Sequence, residues 1–286
     1  MSSAAPAEPA GPAHSVTDAL RQARGLGVDR LDAQLLLGDT LGQSRSWLLA
    51  HDDALLSAAQ LALWQTRLTR RAAGEPVAYL LGEKEFHGLR LSVSAAVLVP
   101  RPDTEVLVDW ALELLGGSLA TIERPSVVDL GTGSGAIALA VKHGQPRAAV
   151  LATDNSAAAL DMARQNALRL RLEVEFAAGS WWDAVAGRRF DLVLSNPPYI
   201  AAGDPHLAAL HHEPSVALTP GGDGLDALRE LIAHAPQHLA PGAWLLLEHG
   251  YDQADAVQQL LRERGFDAIE TRHDLGAQPR CTGARR

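Results

Sequence analysis

The first part of the chain carries apolar residues at the spacing of amphipathic helices. Ser15 and Asp18 are typical of a helix start, because a serine hydroxyl can accept a hydrogen bond from a free amide of the first turn. The pattern stops at Gly74-Glu75-Pro76, so we predict a small helical domain over residues 15–82. Its apolar positions with helical spacing are Leu31, Ala33, Leu35 and Leu36 on one segment, and Leu61, Trp64 and Leu68 after a second capping residue, Ser57.

The segment over residues 83–93 has a different pattern, in which a glycine separates two short runs that suit strands. Glu85-Phe86 precedes the pair His87-Gly88, and Leu89 follows it. A glycine between two such runs is a signal for a hairpin. We therefore predict a β-hairpin and assign residues 83–97 to a linker between the helical domain and the rest of the chain.

From about residue 94 onward, apolar strands alternate with helices. Strands that alternate with helices predict a mainly parallel sheet covered by helices on both faces. We therefore assign residues 98–286 to one α/β domain, in which ligands are expected at the carboxyl ends of the strands. The predicted strands are 127–130, 149–153, 190–195 and 243–248, and the predicted helices include 136–141 and 156–170.

The composition is that of an ordinary globular protein with room for a large and a small domain. Of the 286 residues, 47% are hydrophobic and 21% are charged, and no apolar stretch approaches the roughly 18 residues that a membrane span requires. Cys281 is the only cysteine, which excludes an intrachain disulfide and a zinc site built on a cysteine cluster. The Ala/Pro-rich residues 1–14 lack the pattern of a secretory signal, so we expect a disordered tail and a cytoplasmic protein.

The formal net charge of -9 is opposite in sign to the surface that nucleic-acid binders usually carry. We therefore expect no stable nucleic-acid binding, although a local basic patch would be compatible with this total. Arg67, Arg70 and Arg71 form one small basic run. It is either a solvated helix face or a contact for a protein substrate or ribosomal RNA.

A glycine-rich loop, Gly131-Thr132-Gly133-Ser134-Gly135, lies between a predicted strand and a helix. Glycines allow a close approach of ligand to backbone, and the helix start offers free amides to a carboxylate or a phosphate. Asp129 before the loop can meet the ammonium of an amino-acid-like cofactor, directly or through water. Asp154 ends the next strand, where it can accept hydrogen bonds from both hydroxyls of a ribose, as NAD would also require, or cap the following helix. Trp181 can stack on adenine or line its edge, whereas we assign Trp182 to the core.

The motif Asn196-Pro197-Pro198-Tyr199 follows the strand predicted over residues 190–195. The prolines stiffen the loop, while the Asn196 side chain and the Pro197 carbonyl are acceptors. A planar –NH2 group has two hydrogens, which these two acceptors can hold so that the nitrogen faces an electrophile. Carbonyl dipoles would also stabilise the positive charge that develops on the nitrogen, and Tyr199 adds a flat face for stacking. Alone, the motif would also fit a rigid surface turn.

Other ionisable residues lie near the expected ligand edge without defining a chemistry. His206, His211 and His212 have neither a cysteine nor an ordered carboxylate set beside them, so we interpret them as exposed loop residues and expect no metal. Glu248-His249 ends a predicted strand at that edge, where a structural role and a role in the site are equally compatible with the position.

Longer motifs carry a resemblance to a known family. From about Asp32 to Arg280, the chain closely resembles the bacterial-type peptide chain release factor N5-glutamine methyltransferases, the PrmC/HemK family. The glycine loop and the Asn-Pro-Pro-Tyr motif are shared with many class I methyltransferases. More specific to the family are Leu98-Val99-Pro100-Arg101-Pro102-Asp103-Thr104-Glu105; Arg71 with Gly74-Glu75-Pro76, Tyr79, Gly82 and Glu85-Phe86; Glu213-Pro214, Ala217-Leu218 and Gly221-Gly222-Asp223-Gly224-Leu225; and Glu248-His249-Gly250.

The resemblance implies a class I, Rossmann-like methyltransferase domain preceded by a helical substrate-recognition domain and a hairpin linker. It implies transfer of a methyl group from S-adenosylmethionine to the side-chain amide nitrogen, N5, of the glutamine in the Gly-Gly-Gln loop of peptide chain release factors. By motif position, the donor would be bound by Asp129, Gly131, Thr132, Gly133, Ser134, Gly135, Asp154, Trp181 and Asn196. The substrate would be bound by Asn196, Pro197, Pro198, Tyr199, Arg101 and Glu105, with Asn196, Pro197 and Tyr199 as the catalytic residues.

Other functions fit part of this pattern. A ribosomal-protein glutamine methyltransferase is one alternative, but such relatives tend to carry a Ser-Pro variant in place of residues 101–105. A nucleic-acid adenine N6-methyltransferase would act on the same –NH2 geometry, but it would need a basic cleft for a flipped base. A NAD-binding oxidoreductase or a binding module without catalysis is a third alternative. The absence of Gly-x-Gly-x-x-Gly spacing and the presence of Asn-Pro-Pro-Tyr argue against it. We expect a monomer that acts on release factors.

Overall fold

The computed structural model describes residues 14–286, which form two compact units. The first unit ends at Leu81, and the second comprises Gly82–Arg286. Apart from His14, the tail expected over residues 1–14 lies outside the described residues. No helix in the described part of the chain is both long and apolar enough to cross a membrane.

The described residues of the first unit form five helices around one apolar core. Ser15 and Asp18 form the capping box expected at the first helix, and Ser57 forms another with Gln60. Trp64 is fully buried in the core. The helices are α1 (Val16–Gly25), α2 (Arg30–Leu41), α3 (Arg45–Ala50), α4 (Ala58–Ala72) and α5 (Val77–Leu81).

The four apolar positions identified on α2 divide between two sides of the helix. Leu31 and Leu35 are 45% and 36% exposed, whereas Ala33 and Leu36 are buried. The buried apolar residues of this helix are Ala33, Leu36 and Leu37. At 100° per residue, these three lie on one side of the helix and the two exposed leucines on the other.

The second unit has a seven-stranded sheet and a separate two-stranded hairpin. The hairpin consists of β1 (Glu83–Phe86) and β2 (Leu89–Ser92), and the sheet of β3 (Ser126–Leu130), β4 (Ala149–Asp154), β5 (Glu175–Ala178), β6 (Phe190–Ser195), β7 (Leu239–Glu248), β8 (Asp267–His273) and β9 (Pro279–Arg285). Its helices are α6 (Glu105–Gly116), α7 (Ala136–Gly144), α8 (Ala157–Leu170), α9 (Asp226–His238) and α10 (Ala254–Glu263).

The sheet is mainly parallel, as predicted. Its strand order is β5-β4-β3-β6-β7-β9-β8, and the first five strands in that order pair in parallel. The two antiparallel pairs of the described sheet both involve β9, which lies between β7 and β8. The chain leaves β3 for β4 on one side and later returns through β6 on the other. This reversal at β3 is the position where α/β sheets bind ligands.

Helices cover both faces of the sheet because side chains alternate along each strand. Val127 of β3 faces a core built with α6 and α7, and the next residue, Val128, faces a core built with α9 and α10. Strands that are buried on both faces consist of nearly continuous apolar residues, and this pattern makes them recognisable in the sequence. The Rossmann-like α/β class expected for this part of the chain is therefore confirmed.

The hairpin expected near residue 87 is present. His87 and Gly88 form its two-residue turn with φ angles of 48° and 77°, the left-handed conformation that matches the twist of the paired strands. By its contacts, the hairpin groups with the second unit. The assignment of residues 83–97 to a linker stays a prediction.

Candidate active site

A cleft lies at the carboxyl ends of β3, β4 and β6, where the sequence carries its motifs. Its empty volume, open solvent included, is about 1070 Å³. The predicted site residues that line the cleft are Arg101, Gly131, Thr132, Gly133, Ser134, Asp154, Trp181, Asn196 and Pro198. The predicted site residues outside its lining are Glu105, Asp129, Gly135, Pro197 and Tyr199.

The glycine loop is held against β4 by its own backbone. The amides of Gly131 and Thr132 both donate to the Thr153 carbonyl, at 2.9 and 2.8 Å. Gly131 has a φ of 77°, and a Cβ at this position would lie 3.1 Å from Cζ3 of Trp181. The lack of a side chain therefore lets the Trp181 ring approach the loop closely, and both line the cleft.

A buried asparagine joins this loop to the hairpin. Asn166 on α8 accepts a hydrogen bond from the Ser92 amide at 2.7 Å and donates to the Ser92 carbonyl at 3.0 Å. It also donates to the Ser134 carbonyl at 2.9 Å. One side chain thereby satisfies backbone groups of β2 and of the glycine loop.

Asp154, at the end of β4, lines the cleft and accepts two backbone hydrogen bonds. Its Oδ2 accepts a hydrogen bond from the Gly133 amide, and its Oδ1 accepts one from the Ser156 amide, both at 2.9 Å. The cap of α8 is Ser156, whose hydroxyl accepts from the Ala159 amide. Asp154 therefore does not replace that cap, and its carboxylate lines the cleft between two backbone donors.

Asp129 lies behind the glycine loop. Its Oδ2 accepts hydrogen bonds from the Thr132 hydroxyl at 2.6 Å and from the Ala138 amide at 3.2 Å. Its Oδ1 is buried and has no hydrogen-bond partner among the described residues. Burial raises the pKa of this carboxyl to about 7, although the bond from Thr132 opposes the shift. An unpaired buried acceptor next to a ligand loop indicates a group that completes its hydrogen bonding when a ligand or water is present.

The raised pKa of Asp129 predicts how stability changes with pH. The folded state keeps the proton up to a pKa of about 7, whereas the unfolded chain loses it near 3.8. This stabilisation is complete below about pH 4 and is lost as the pH rises through about 7. Between about pH 5 and pH 8, we expect the free energy of unfolding of the wild type to fall by about 2–3 kcal/mol more than that of Asp129→Asn. Urea unfolding of both proteins measures this difference, and equal slopes with pH would contradict it.

Gly135 has a packing function in the structure. It precedes α7 with a φ of 85°, and a Cβ there would lie 3.2 Å from Cβ of Ala163 on α8. It thus allows the loop to pass close to that helix. A direct contact of Gly135 with a cofactor stays a prediction.

The end of β6 and the loop after it are held by hydrogen bonds of three side chains. The Ser195 hydroxyl donates to the Leu130 carbonyl at 2.7 Å, which ties β6 to β3. The Asn196 amide nitrogen Nδ2 donates to the Thr104 hydroxyl oxygen at 3.2 Å. The Tyr199 hydroxyl donates to Oε1 of Glu248 at 3.2 Å, and burial raises the pKa of that phenol well above its usual value. Asn196 faces the cleft, whereas the Tyr199 ring packs against the core on the α9 side of the sheet.

The family-specific segment before α6 forms a third side of the cleft. Arg101 donates to Oε1 of Glu213 at 2.5 Å, and the Val99 amide donates to its Oε2 at 3.0 Å. Glu105 instead accepts a hydrogen bond from the His87 amide at 3.0 Å and so braces the hairpin turn. A substrate contact by Glu105 stays a prediction. In the structure its side chain stabilises the hairpin turn.

Two residues that the structure places at this site were not among the site residues predicted from the sequence. Thr104 lines the cleft and holds Asn196, and the buried Glu213 holds Arg101. Both lie within motifs that carry the family resemblance, which was the signal available for them. Their pairing was not recognisable, because the partners are 92 and 112 residues apart in the chain.

The basic run on α4 is neutralised. Arg67 pairs with Asp39 at 2.6 Å, Arg70 with Glu75 at 2.5 Å, and Arg71 with Asp32 at 2.8 Å. Each guanidinium thus has a carboxylate partner, and the run is a poor contact for phosphates.

Trp182 lies in the core, as expected, and donates to the Leu231 carbonyl at 3.2 Å.

Of the three histidines that the sequence analysis assigned to a loop, His206 and His211 are exposed. Across residues 14–286, no group of three or more His, Cys, Asp or Glu side chains is arranged to hold a metal ion.

Two family models match the chain. A methyltransferase small domain matches residues 104–225, and a PrmC N-terminal domain matches residues 14–82. Among solved structures, a T. thermophilus 16S rRNA methyltransferase in complex with AdoMet and guanosine has a TM-score of 0.51 at 21% identity. The match covers 71% of this chain and 49% of that one, and it supports the fold alone.

Relatives with much higher identity cover nearly the whole chain. The release factor glutamine methyltransferase of Xylella fastidiosa is 51% identical over 261 residues, which are 90% of this chain and 94% of that protein. The enzyme of the same name from Bordetella pertussis is 49% identical over 260 residues, 90% of this chain and 95% of the other. With this identity and coverage, and with both family models in place, the chain belongs to the family of release factor glutamine methyltransferases.

Proposed function

We propose that this protein transfers a methyl group from S-adenosylmethionine to the N5 amide nitrogen of the glutamine in the Gly-Gly-Gln loop of peptide chain release factors. The observation that carries the proposal is the side-chain amide of Asn196, which lines the same cleft as the glycine loop and has its NH2 group engaged by Thr104. Its carbonyl oxygen is the branch left for a substrate. The names of the relatives point to the same substrate.

The residues around the cleft fit the methyl donor. Asp154 lies where a carboxylate can accept hydrogen bonds from ribose hydroxyls, and the Trp181 ring lies against the glycine loop, where it can contact adenine. The unpaired Oδ1 of Asp129 is a buried carboxyl oxygen behind that loop, suited to an ammonium group directly or through water. When bound, S-adenosylmethionine supplies an electrophilic methyl group on a sulfonium.

The loop after β6 would hold the acceptor. A glutamine –NH2 has two hydrogens, which the Asn196 side-chain oxygen and the Pro197 carbonyl can accept. An amide nitrogen is a poor nucleophile, so the principal contribution is to fix its position and direction. The two acceptor dipoles also stabilise positive charge on nitrogen during transfer. Pro198 and Arg101 line the cleft beside Asn196 and are proposed contacts of the substrate loop.

We extend the proposal to partners and location. The helical unit would recognise the release factor, and the protein would act as a monomer in the cytoplasm. The net charge of -9 and the paired arginines of α4 favour a protein substrate over a stable nucleic-acid partner.

Replacing Asp154 is expected to weaken donor binding. In Asp154→Asn the side chain keeps its shape, but it loses its charge and can accept only one of the two backbone hydrogen bonds. We expect the Kd for S-adenosylmethionine to rise roughly 10- to 100-fold, the cost of a charged hydrogen bond. Titration calorimetry measures it. The matched control is Asp161→Asn, an exposed carboxylate on α8, the helix that follows Asp154, which should leave the Kd unchanged.

The function is tested by methyl transfer itself. The purified protein is incubated with labelled S-adenosylmethionine and either a bacterial release factor or its variant with alanine in place of the loop glutamine. We expect label in the first protein only. A ribosomal-protein fraction and adenine-containing DNA are the competing substrates. Labelling of either one in preference to the release factor, or equal labelling of both release-factor proteins, would refute the proposal.

A further inference from the structure

A buried glutamate joins two segments of chain that line the cleft. The side chain of Glu213 is only 2% exposed. Its Oε2 accepts a hydrogen bond from the Val99 amide at 3.0 Å, and its Oε1 accepts one from Nη2 of Arg101 at 2.5 Å. Both carboxyl oxygens therefore face donors, which is the arrangement that suits an ionised carboxylate. A buried charge is stable when it is paired in this way, and the loss of its partner is costly.

The two segments are far apart in the sequence. Val99 and Arg101 precede α6, whereas Glu213 precedes a short 3-10 turn over Ser215–Ala217. Both segments contribute side chains to the lining of the cleft, which are Leu98, Pro100 and Arg101 from the first and Pro214, Val216 and Ala217 from the second. Glu213 thus holds the guanidinium of Arg101 in place between two parts of the same cleft wall.

The Arg101 guanidinium has donors left for a ligand. A guanidinium carries five N–H donors in a planar fork. Within residues 14–286, the bond to Glu213 is the hydrogen bond that this side chain makes, and the side chain remains 35% exposed. The other N–H groups can therefore bond to a molecule in the cleft that Arg101 lines. Because one nitrogen is held and the fork is rigid, the directions of these donors are restricted.

The pair offers these donors without a net charge. The positive charge of Arg101 is compensated at 2.5 Å by the negative charge of Glu213. A lone guanidinium attracts anions strongly, whereas the field of a compensated one is much weaker at a distance. Such donors suit the neutral oxygen of a peptide carbonyl. A glycine-rich substrate loop exposes its carbonyl oxygens, because its glycines have no Cβ to cover them.

We propose that Glu213 is a positioning residue that orients the Arg101 guanidinium to bind backbone carbonyl oxygens of the substrate loop. This inference rests on the proposed function and deepens it. It assigns recognition of the loop backbone to Arg101, apart from the glutamine side chain that Asn196 and Pro197 would hold. The methyl donor keeps its own contacts in this arrangement. The expected effect of breaking the pair is therefore on KM for the release factor, with little effect on kcat or on donor binding.

The test begins with two single variants of the full-length protein. Arg101→Met removes the donors but keeps a long side chain. Glu213→Gln can still accept from the Val99 amide, but it then turns its NH2 group toward the guanidinium, and two donors cannot bond to each other. We expect each variant to raise KM for the release factor at least about tenfold, the cost of a charged hydrogen bond. The value of kcat should change less than about threefold, and the Kd for S-adenosylmethionine less than about twofold.

The double variant separates positioning from a purely structural role. Arg101→Met leaves the buried carboxylate of Glu213 without its charged partner, so this variant should also be less stable than the wild type. Adding Glu213→Gln removes that charge, and the double variant should unfold at a higher temperature than Arg101→Met alone. Its KM should nevertheless stay raised at least about tenfold, because the donors are still missing. A KM that recovers together with thermal stability would overturn the inference, since it would reduce the pair to a structural clasp.

The controls distinguish this inference from the proposed function. Arg188→Met with Glu175→Gln removes an exposed ion pair outside the cleft lining and should leave KM unchanged. If Arg101→Met does not fold, Glu213→Gln and the double variant test the same donors. A wild type active on the release factor together with an unchanged KM in these variants overturns only the inference. The same holds for a Kd for S-adenosylmethionine that rises about tenfold at an unchanged KM, which would assign Arg101 to the donor carboxylate. A wild type inactive on the release factor overturns both.

Discussion

Asn196→Ala is expected to reduce kcat for release-factor methylation by about a thousandfold, the upper end of what the loss of one preorganised polar group costs an enzyme. The variant removes the acceptor that faces the cleft and the NH2 that bonds Thr104. Without it, the Pro197 carbonyl alone would hold the substrate amide. The nitrogen would then rotate away from the direction of attack. Single-turnover rates with labelled donor measure the effect directly.

Donor binding provides the control for this variant. Calorimetric titration with S-adenosylmethionine should show a smaller loss, of about tenfold or less, because Asp154 and the glycine loop remain in place. Asn196→Asp is the isosteric companion. It keeps acceptors in the cleft but loses the NH2 group that donates to the Thr104 hydroxyl, so its kcat should also fall. An Asn196→Ala protein with the kcat of the wild type would exclude the proposed role.

Gly224→Ala is expected to damage both the fold and the site. Gly224 has a φ of 83°, and a Cβ at this position would lie 2.3 Å from the Tyr199 carbonyl oxygen and 3.0 Å from the Ala201 amide nitrogen. Both obstacles are backbone, which cannot move aside as a flexible side chain would. We expect the free energy of unfolding to fall by about 2–4 kcal/mol, from the strained φ and the overpacking together.

Activity should fall with it, because the displaced carbonyl belongs to the Asn-Pro-Pro-Tyr loop. Nε2 of Gln253 donates to that same carbonyl at 3.0 Å, and a Cβ on Gly224 would also lie 3.0 Å from that nitrogen. We expect kcat to fall at least tenfold. The control is Gly203→Ala, where a Cβ would have no atom within 4 Å. Urea unfolding and methyl transfer measure both proteins, and equal values for the two variants would contradict this account.

Much of the sheet was predictable because buried parallel strands are short apolar runs between turn signals. The strand over Phe190–Ser195 was predicted with the bounds it has in the structure, and β3 and β4 were each predicted to within one residue. The faces of isolated helices were harder to assign. On α2, leucines occur on opposite sides, and the buried side is the one that packs into the core shared with Trp64. Periodicity alone does not determine which side of the helix is buried.

The site was predictable where a residue follows a strand directly. Asp154, Asn196 and the glycine loop lie at the carboxyl ends of their strands and face the cleft. Asp129 precedes this loop and Gly135 ends it, but Asp129 hydrogen-bonds behind the loop and Gly135 packs against Ala163, a difference of orientation that spacing does not encode. Thr104 was missed because its partner is brought to it by tertiary packing across 92 residues.

The three hydrogen bonds of Asn166 have a mechanical consequence. They link Ser92 of the hairpin to Ser134 of the glycine loop through one rigid side chain in the interior. β2 cannot slide by a residue without breaking two of these bonds, and the loop cannot swing outward without breaking the third. We therefore expect the hairpin and the glycine loop to move together. Lengthening or shortening the hairpin upstream of Ser92 would consequently be transmitted to a loop that is remote from it in sequence.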